Sequence, residues 1–99
     1  METRLKELTD QIGELMGEGR IRDARPLAIE VAELTRQVKG DRSIAFAAML
    51  NDLGGIHRAI GEWEDAENAF SLAATVIESA IGNQTPDYAT TLNNLAGLY

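Results

Sequence analysis

The side chains best able to do chemistry are few in this sequence, and none has the partners that would complete a reactive site. His57 is the only histidine, and the chain has no cysteine. Because zinc and similar metals draw on several histidine or cysteine ligands, we expect no metal site and a packing role for His57. The sequence also lacks the P-loop, H-E-x-x-H, G-x-S-x-G and G-x-G-x-x-G patterns. We therefore expect no enzyme and no cofactor.

Charge and composition narrow the kind of partner. The formal net charge is −7 over 99 residues, whereas nucleic-acid binding needs a basic surface. No apolar stretch approaches the roughly 18 residues that a membrane-spanning helix needs. Residues 1–10 are charged and lack the apolar core of a secretory signal. These features predict a soluble, cytoplasmic protein that binds neither a nucleic acid nor a membrane, and the net negative charge mildly favours basic partners.

The elements that would position a binding surface repeat along the chain. Shifting the sequence by 42 residues aligns eight identical pairs between residues 1–42 and 43–84, where chance gives about one identity in sixteen positions. Two matches extend through three units: Leu8 with Leu50 and Leu92, and Gly13 with Gly55 and Gly97. A pattern that recurs at this period predicts a repeat architecture.

Each unit has the pattern of two helices. Apolar residues recur at helical spacing over residues 3–17, 21–39, 44–60 and 63–81, with glycines between the segments. Gly82 is a candidate left-handed cap at the end of the fourth helix. Thr85 and Pro86 then supply an N-cap and a first helical residue for a fifth helix.

These residues carry a family resemblance. Leu50-x-x-Leu53-Gly54-x-x-His57, followed by Gly61, Trp63, Ala66 and Phe70, resembles the tetratricopeptide pattern W-x-x-L-G-x-x-Y then A-x-x-x-F. Residues 91–99 are similar to the 42-residue variety found in kinesin light chains. The resemblance implies an all-α fold, an α-solenoid of antiparallel helix pairs in a right-handed superhelix. It implies a single domain over residues 1–99 with five helices: repeat 1 at about 1–42, repeat 2 at about 43–84 and the first helix of repeat 3 at about 85–99.

Small and large residues should pack together in such repeats. The small ones let helix backbones approach closely, and the large ones fill the remaining space. The small set is Gly54, Gly55, Ala66, Ala73, Ala96 and Gly97. The large set is Leu50, Leu53, Trp63, Phe70 and Leu95.

The resemblance also implies a protein-interaction module that binds a peptide or helix on its concave face. Positions in all three units match the ligand-facing slots of the family. They are Lys6, Thr9, Asp10, Gly13 and Met16 in the first unit, Asn51, Asp52, Gly55 and Arg58 in the second, and Thr90, Asn93, Asn94 and Gly97 in the third. An asparagine amide both donates and accepts, so it suits pairing with an extended peptide backbone. Alternatively, the asparagines and aspartates are solvated surface. The glycines at 13, 55 and 97 either open a groove floor or serve helix packing.

The charge of this face favours some ligands over others. It lacks the basic cluster with which some members of the family bind acidic tails. Lys6 and Arg58 are its only strong cations, and Asp10 and Asp52 lie between them. A neutral or basic peptide is therefore more compatible than an acidic tail.

Opposite charges recur at the repeat period on the second helices. Arg20, Arg22 and Arg25 precede Glu62, Glu64 and Glu67 by 42 residues. Equivalent positions in stacked helices lie roughly 8–10 Å apart, which long side chains can bridge. The charges either fix the stacking register or are solvated independently.

The third unit shows only its first helix within residues 85–99. This leaves an apolar set partly uncovered: Leu92, Leu95, Leu98 and Tyr99. One interpretation is that the chain is part of a longer array. The other is that this face packs on a second copy, by swapping or as an isologous dimer. We expect a homo-oligomer, and self-association is the alternative function.

Overall fold

The chain forms five α-helices in the computed structural model, which describes residues 2–82 and 84–98. They are α1 (Glu2–Gly17), α2 (Ile21–Lys39), α3 (Ile44–Ala59), α4 (Trp63–Ile81) and α5 (Pro86–Ala96). The described residues contain no β-strand. The all-α solenoid architecture predicted from the sequence is confirmed. Within the same residues, no helix is long and apolar enough to cross a membrane.

Hydroxyl caps begin the first helix of each later repeat. The Phe46 N–H donates to Ser43 Oγ over 3.1 Å at the start of α3. The Tyr88 N–H donates in the same way to Thr85 Oγ1 over 3.3 Å at the start of α5, where Pro86 is the first helical residue. Such a cap stabilises a helix by about 1 kcal/mol. The cap predicted at Thr85 is confirmed.

The second helix of each complete repeat ends at a glycine. Gly40 and Gly82 have φ values of 102° and 93°, a region that disfavours other residues. The sequence predicts a left-handed helical cap at Gly82, and only the positive φ of this glycine is confirmed. Its ψ of 174° is extended instead of helical. The chain therefore leaves α4 in an extended direction before α5 begins.

The core lies around α3, which packs against α2 and α4. Leu8, Phe70 and Ile77 are among its most enclosed side chains. The core role predicted for Trp63 is wrong, because this side chain is 57% exposed. Trp63 shares a helical stripe with Phe70, but it begins α4, so no described helix covers it.

The small residues divide into two groups. An added Cβ at Gly54 would lie 2.6 Å from the Phe70 ring, so this glycine permits close approach of α3 and α4. The packing role is confirmed for Gly54, Ala66 and Ala73. It is wrong for Gly55, where an added Cβ would meet nothing within 4 Å, and for Ala96, which is exposed.

Candidate binding cleft between α1 and α3

The first helices of the two complete repeats leave an open cleft between them, with α2 as its floor. From α1 it is lined by Leu5, Thr9, Ile12 and Met16, and from α2 by Ala28 and Val31. From α3 it is lined by Met49, Asp52, Gly55 and Ile56. We call this surface the α1–α3 cleft. The α1 residues are spaced by three or four, which places them on one face of that helix.

The floor of the cleft contains an apolar cavity. Its volume is about 120 Å³, and Ile12, Val31, Met49 and Ile56 are among its walls. This is close to the roughly 150 Å³ of an engineered apolar cavity that binds benzene. At one end of the cleft Met16 is 41% exposed. The cavity therefore has room for one apolar side chain of a partner.

Asp52 places a carboxylate on the wall of this apolar cavity. No described residue donates a hydrogen bond to it or forms an ion pair with it. Asp52 as a whole is exposed, but partial burial of its carboxyl raises the pKa of that group above its usual value. Desolvation disfavours the charged form, so a cation placed here would be attracted more strongly than in bulk water.

Gly55 widens the cleft beside Asp52. It lines the cleft, and the space that a Cβ would occupy there is empty. Gly13, its equivalent one repeat earlier, also has nothing within 4 Å, but it does not line the cleft. For these two glycines the geometry favours open space over helix packing. Gly97 differs, since a Cβ there would lie 3.5 Å from the Asn93 carbonyl oxygen, an ordinary contact.

Asn51 lies at the edge of the cleft but serves a contact between repeats. Its Nδ2 donates to Thr91 Oγ1 over 2.9 Å. The Thr91 hydroxyl in turn donates to the Asp87 carbonyl over 3.0 Å. Thr91 is fully buried, and nothing in its spacing marks it for this role. The Nδ2 group of the amide that was expected to bind a peptide backbone therefore joins α3 to α5, whereas Asn51 Oδ1 is buried and has no hydrogen-bond partner among the described residues.

The other predicted concave-face residues do not line the cleft. The Arg58 guanidinium lies 5.8 Å from the centre of the Phe70 ring, close to Gly97. Its position indicates a packing role over the core, through a cation–π contact. Asp10, Thr90 and Asn93 are exposed and Asn94 is half-buried. The structure thus places five of the predicted residues along the cleft, namely Thr9, Met16, Asn51, Asp52 and Gly55, and it leaves the rest of the set apart.

The residues expected to self-associate lie on and after α5. Leu92 is 43% exposed, whereas Leu95 and Leu98 are half-buried. Tyr99 lies outside the described residues.

A polar joint fastens the first repeat to the second. His57 is 8% exposed, and its Nδ1 lies 2.7 Å from Glu62 Oε1. Because a carboxylate only accepts, Nδ1 must carry the proton. The other oxygen of Glu62 accepts from Arg25 on α2. The hydrogen bond from His57, with the charge of Arg25 beside it, lowers the pKa of the Glu62 carboxyl.

This joint bears on two predictions. One ion pair joins the two predicted sets of opposite charge, that of Arg25 with Glu62, but Glu62 lies five residues before Glu67, the partner that the repeat period aligns with Arg25. Ligand atoms of His57, Glu62 and Asp65 lie within 4.8 Å of one another, a spacing that would suit a metal ion. Both Glu62 oxygens are already engaged, however, so a metal would have to displace Arg25 or His57. The contacts of Glu62 with His57 and Arg25 therefore form a structural link between the first and second repeats.

Paired helices that repeat along a chain, with an open cleft between equivalent helices, define a helical repeat protein. The tetratricopeptide repeat family model matches residues 45–99, which is more than half of the chain. The chain therefore belongs to the tetratricopeptide repeat family. Proteins of this family generally mediate protein–protein interaction and form a non-catalytic scaffold class. A search of curated proteins finds no match to this sequence.

Proposed function

We propose that this protein is a scaffold that binds a peptide or helical segment of a partner protein in the α1–α3 cleft. The observation that carries the proposal is the apolar cavity of about 120 Å³ at the floor of the cleft, which opens to solvent. Exposed concave apolar surface rimmed by polar groups is typical of an interaction site.

The charge of the cleft supports a neutral or basic partner. Asp52 is the acidic residue on its walls, and Lys39 is the basic residue at its far end. The predicted concave cation Arg58 lies over Phe70. An acidic tail would therefore find little to pair with beside the cavity. The 42-residue period also supports assignment to the kinesin-light-chain-like variety of the family.

Replacing Gly55 with leucine is expected to block the cleft and weaken peptide binding by more than tenfold. The new side chain would occupy open space, so the fold should be retained, and helix propensity should raise stability slightly. Peptides enriched from a display library on the unmodified chain would be measured against both proteins by fluorescence anisotropy.

Gly13→Leu is the matched control, because Gly13 holds the equivalent position in α1 and its surroundings are equally open. Binding should survive in this variant. A peptide set that binds all three proteins equally, or no enrichment at all, would contradict the proposed site.

Self-association is the second candidate function, and it is supported by one comparison. Leu8 and Leu50 are 0% and 6% exposed, whereas the equivalent Leu92 is 43% exposed. A second copy that packs on α5 would cover this side chain.

Leu92→Glu is expected to shift any dimer towards monomer, because a carboxylate buried in an apolar interface is costly. Sedimentation velocity at several concentrations would measure this. Thr90→Glu, on the same helix, adds the same charge at an exposed polar position. A concentration-independent monomer for the unmodified chain, or equal effects of the two variants, would exclude this second function.

A further inference from the structure

We propose that the occupant of the α1–α3 cleft is an amphipathic helix of a partner protein. Its apolar side chain fills the cavity, and a lysine or arginine one turn away pairs with Asp52. This inference rests on the proposed function and names the chemistry of the ligand that the same site would accept.

The walls of the cleft favour a helix over an extended segment. An extended backbone buried there would need partners for its N–H and C=O groups. Few polar groups nearby are free to pair with it. Thr9 Oγ1 donates to the Leu5 carbonyl over 2.8 Å, and Asn51 Nδ2 donates to Thr91. Asn51 Oδ1 is unpaired but buried, and the Asp52 carboxylate can only accept. A helix satisfies its own backbone groups and presents only side chains to apolar walls.

The length of the cleft suits a short helix. Its α1 wall extends from Leu5 to Met16. Eleven residues of helical rise correspond to about 16 Å, or about three turns. One face of a helix of that length presents apolar residues at positions three and four apart.

Asp52 supplies the charge that the partner should complement. Its carboxylate stands on the cavity wall, and no described residue neutralises it. Lys39 lies at the other end of the cleft, beside Ala45. Seven residues of α3 separate Ala45 from Asp52, which is about 10 Å along the helix. The apolar stem of a lysine or arginine can lie along the wall while its cation reaches Asp52. Partial burial raises the pKa of the Asp52 carboxyl, and a cation beside it would favour the charged form.

The test uses a display library of helix-forming peptides with one randomised face, selected on the intact chain. Enriched peptides should carry lysine or arginine three or four residues from leucine, methionine or phenylalanine. Asp52→Asn should weaken such a peptide about tenfold. Replacing the peptide cation with glutamine should weaken binding to the unmodified chain by about the same factor. The same replacement should hardly change binding to the Asp52→Asn variant, because in a double-mutant cycle the second change costs little once the pair is broken.

Asp10→Asn is the matched control. Asp10 occupies the equivalent position one repeat earlier and is exposed, as Asp52 is, but it does not line the cleft. Binding should not change in this variant. Three results would overturn the inference. The enriched peptides could show no preference for a cation, they could be rich in proline, or Asp10→Asn and Asp52→Asn could weaken peptide binding equally. In each of these cases, the proposed function would still be supported if Gly55→Leu weakened the binding of the enriched peptides. Peptides that bind the Gly55→Leu variant equally, or no enrichment on the unmodified chain, would overturn the proposed function and this inference together.

Discussion

Replacing Phe70 with alanine is expected to lower the free energy of unfolding by about 3–5 kcal/mol, the usual cost of this change in a core. The Phe70 ring is fully buried between α4 and the backbone of α3 at Gly54. Its removal would leave a cavity and would also take away the ring beneath the Arg58 guanidinium. Because domains of this size are stable by only about 5–15 kcal/mol, urea denaturation followed by circular dichroism should show a large shift of the midpoint.

Leu72→Ala provides the comparison on the same helix. Leu72 is 46% exposed, so its truncation should cost less than about 1 kcal/mol. If Phe70→Ala does not fold, Phe70→Leu removes fewer atoms and should give an intermediate loss. Equal losses from Phe70→Leu and Leu72→Ala would mean that the ring does not support the joint between α3 and α4.

The helix boundaries could be predicted from the sequence because their signals are local. Gly61 separates α3 from α4, and the cap at Thr85 starts α5. The exposure of Trp63 could not be predicted in the same way. Its stripe position matches that of Phe70, but burial depends on whether a neighbouring helix reaches that far.

The candidate site could be predicted only in part, for the same physical reason. The repeat alignment indicated Asp52 and Gly55, which do lie together in the cleft. It could not show that Asn51 donates to Thr91, because that bond depends on how α5 sits against α3. Nor could it give the pairing of Arg25 with Glu62, since equivalent positions in sequence need not meet when helices cross at an angle.

Replacing Gly54 with alanine is expected to destabilise the protein by about 1–3 kcal/mol through overpacking. The added Cβ would lie 2.6 Å from the nearest ring atom of Phe70. The ring is fully buried and cannot turn aside without disturbing its other neighbours. The higher helix propensity of alanine offsets up to about 1 kcal/mol of this cost. The midpoint of urea denaturation would measure the net loss.

Gly55→Ala is the control, and its effect should have the opposite sign. Successive residues of a helix are rotated by about 100°, so Gly55 faces the cleft, where an added Cβ meets nothing within 4 Å. Alanine there should raise the free energy of unfolding by about 0.5–1 kcal/mol. In a Phe70→Leu background the cost of Gly54→Ala should shrink, because the clash with the ring is gone, while the gain from Gly55→Ala should not change. If Gly54→Ala lowers the free energy of unfolding equally with and without the Phe70→Leu substitution, then the close approach of α3 and α4 at the ring is not the reason for a glycine at position 54.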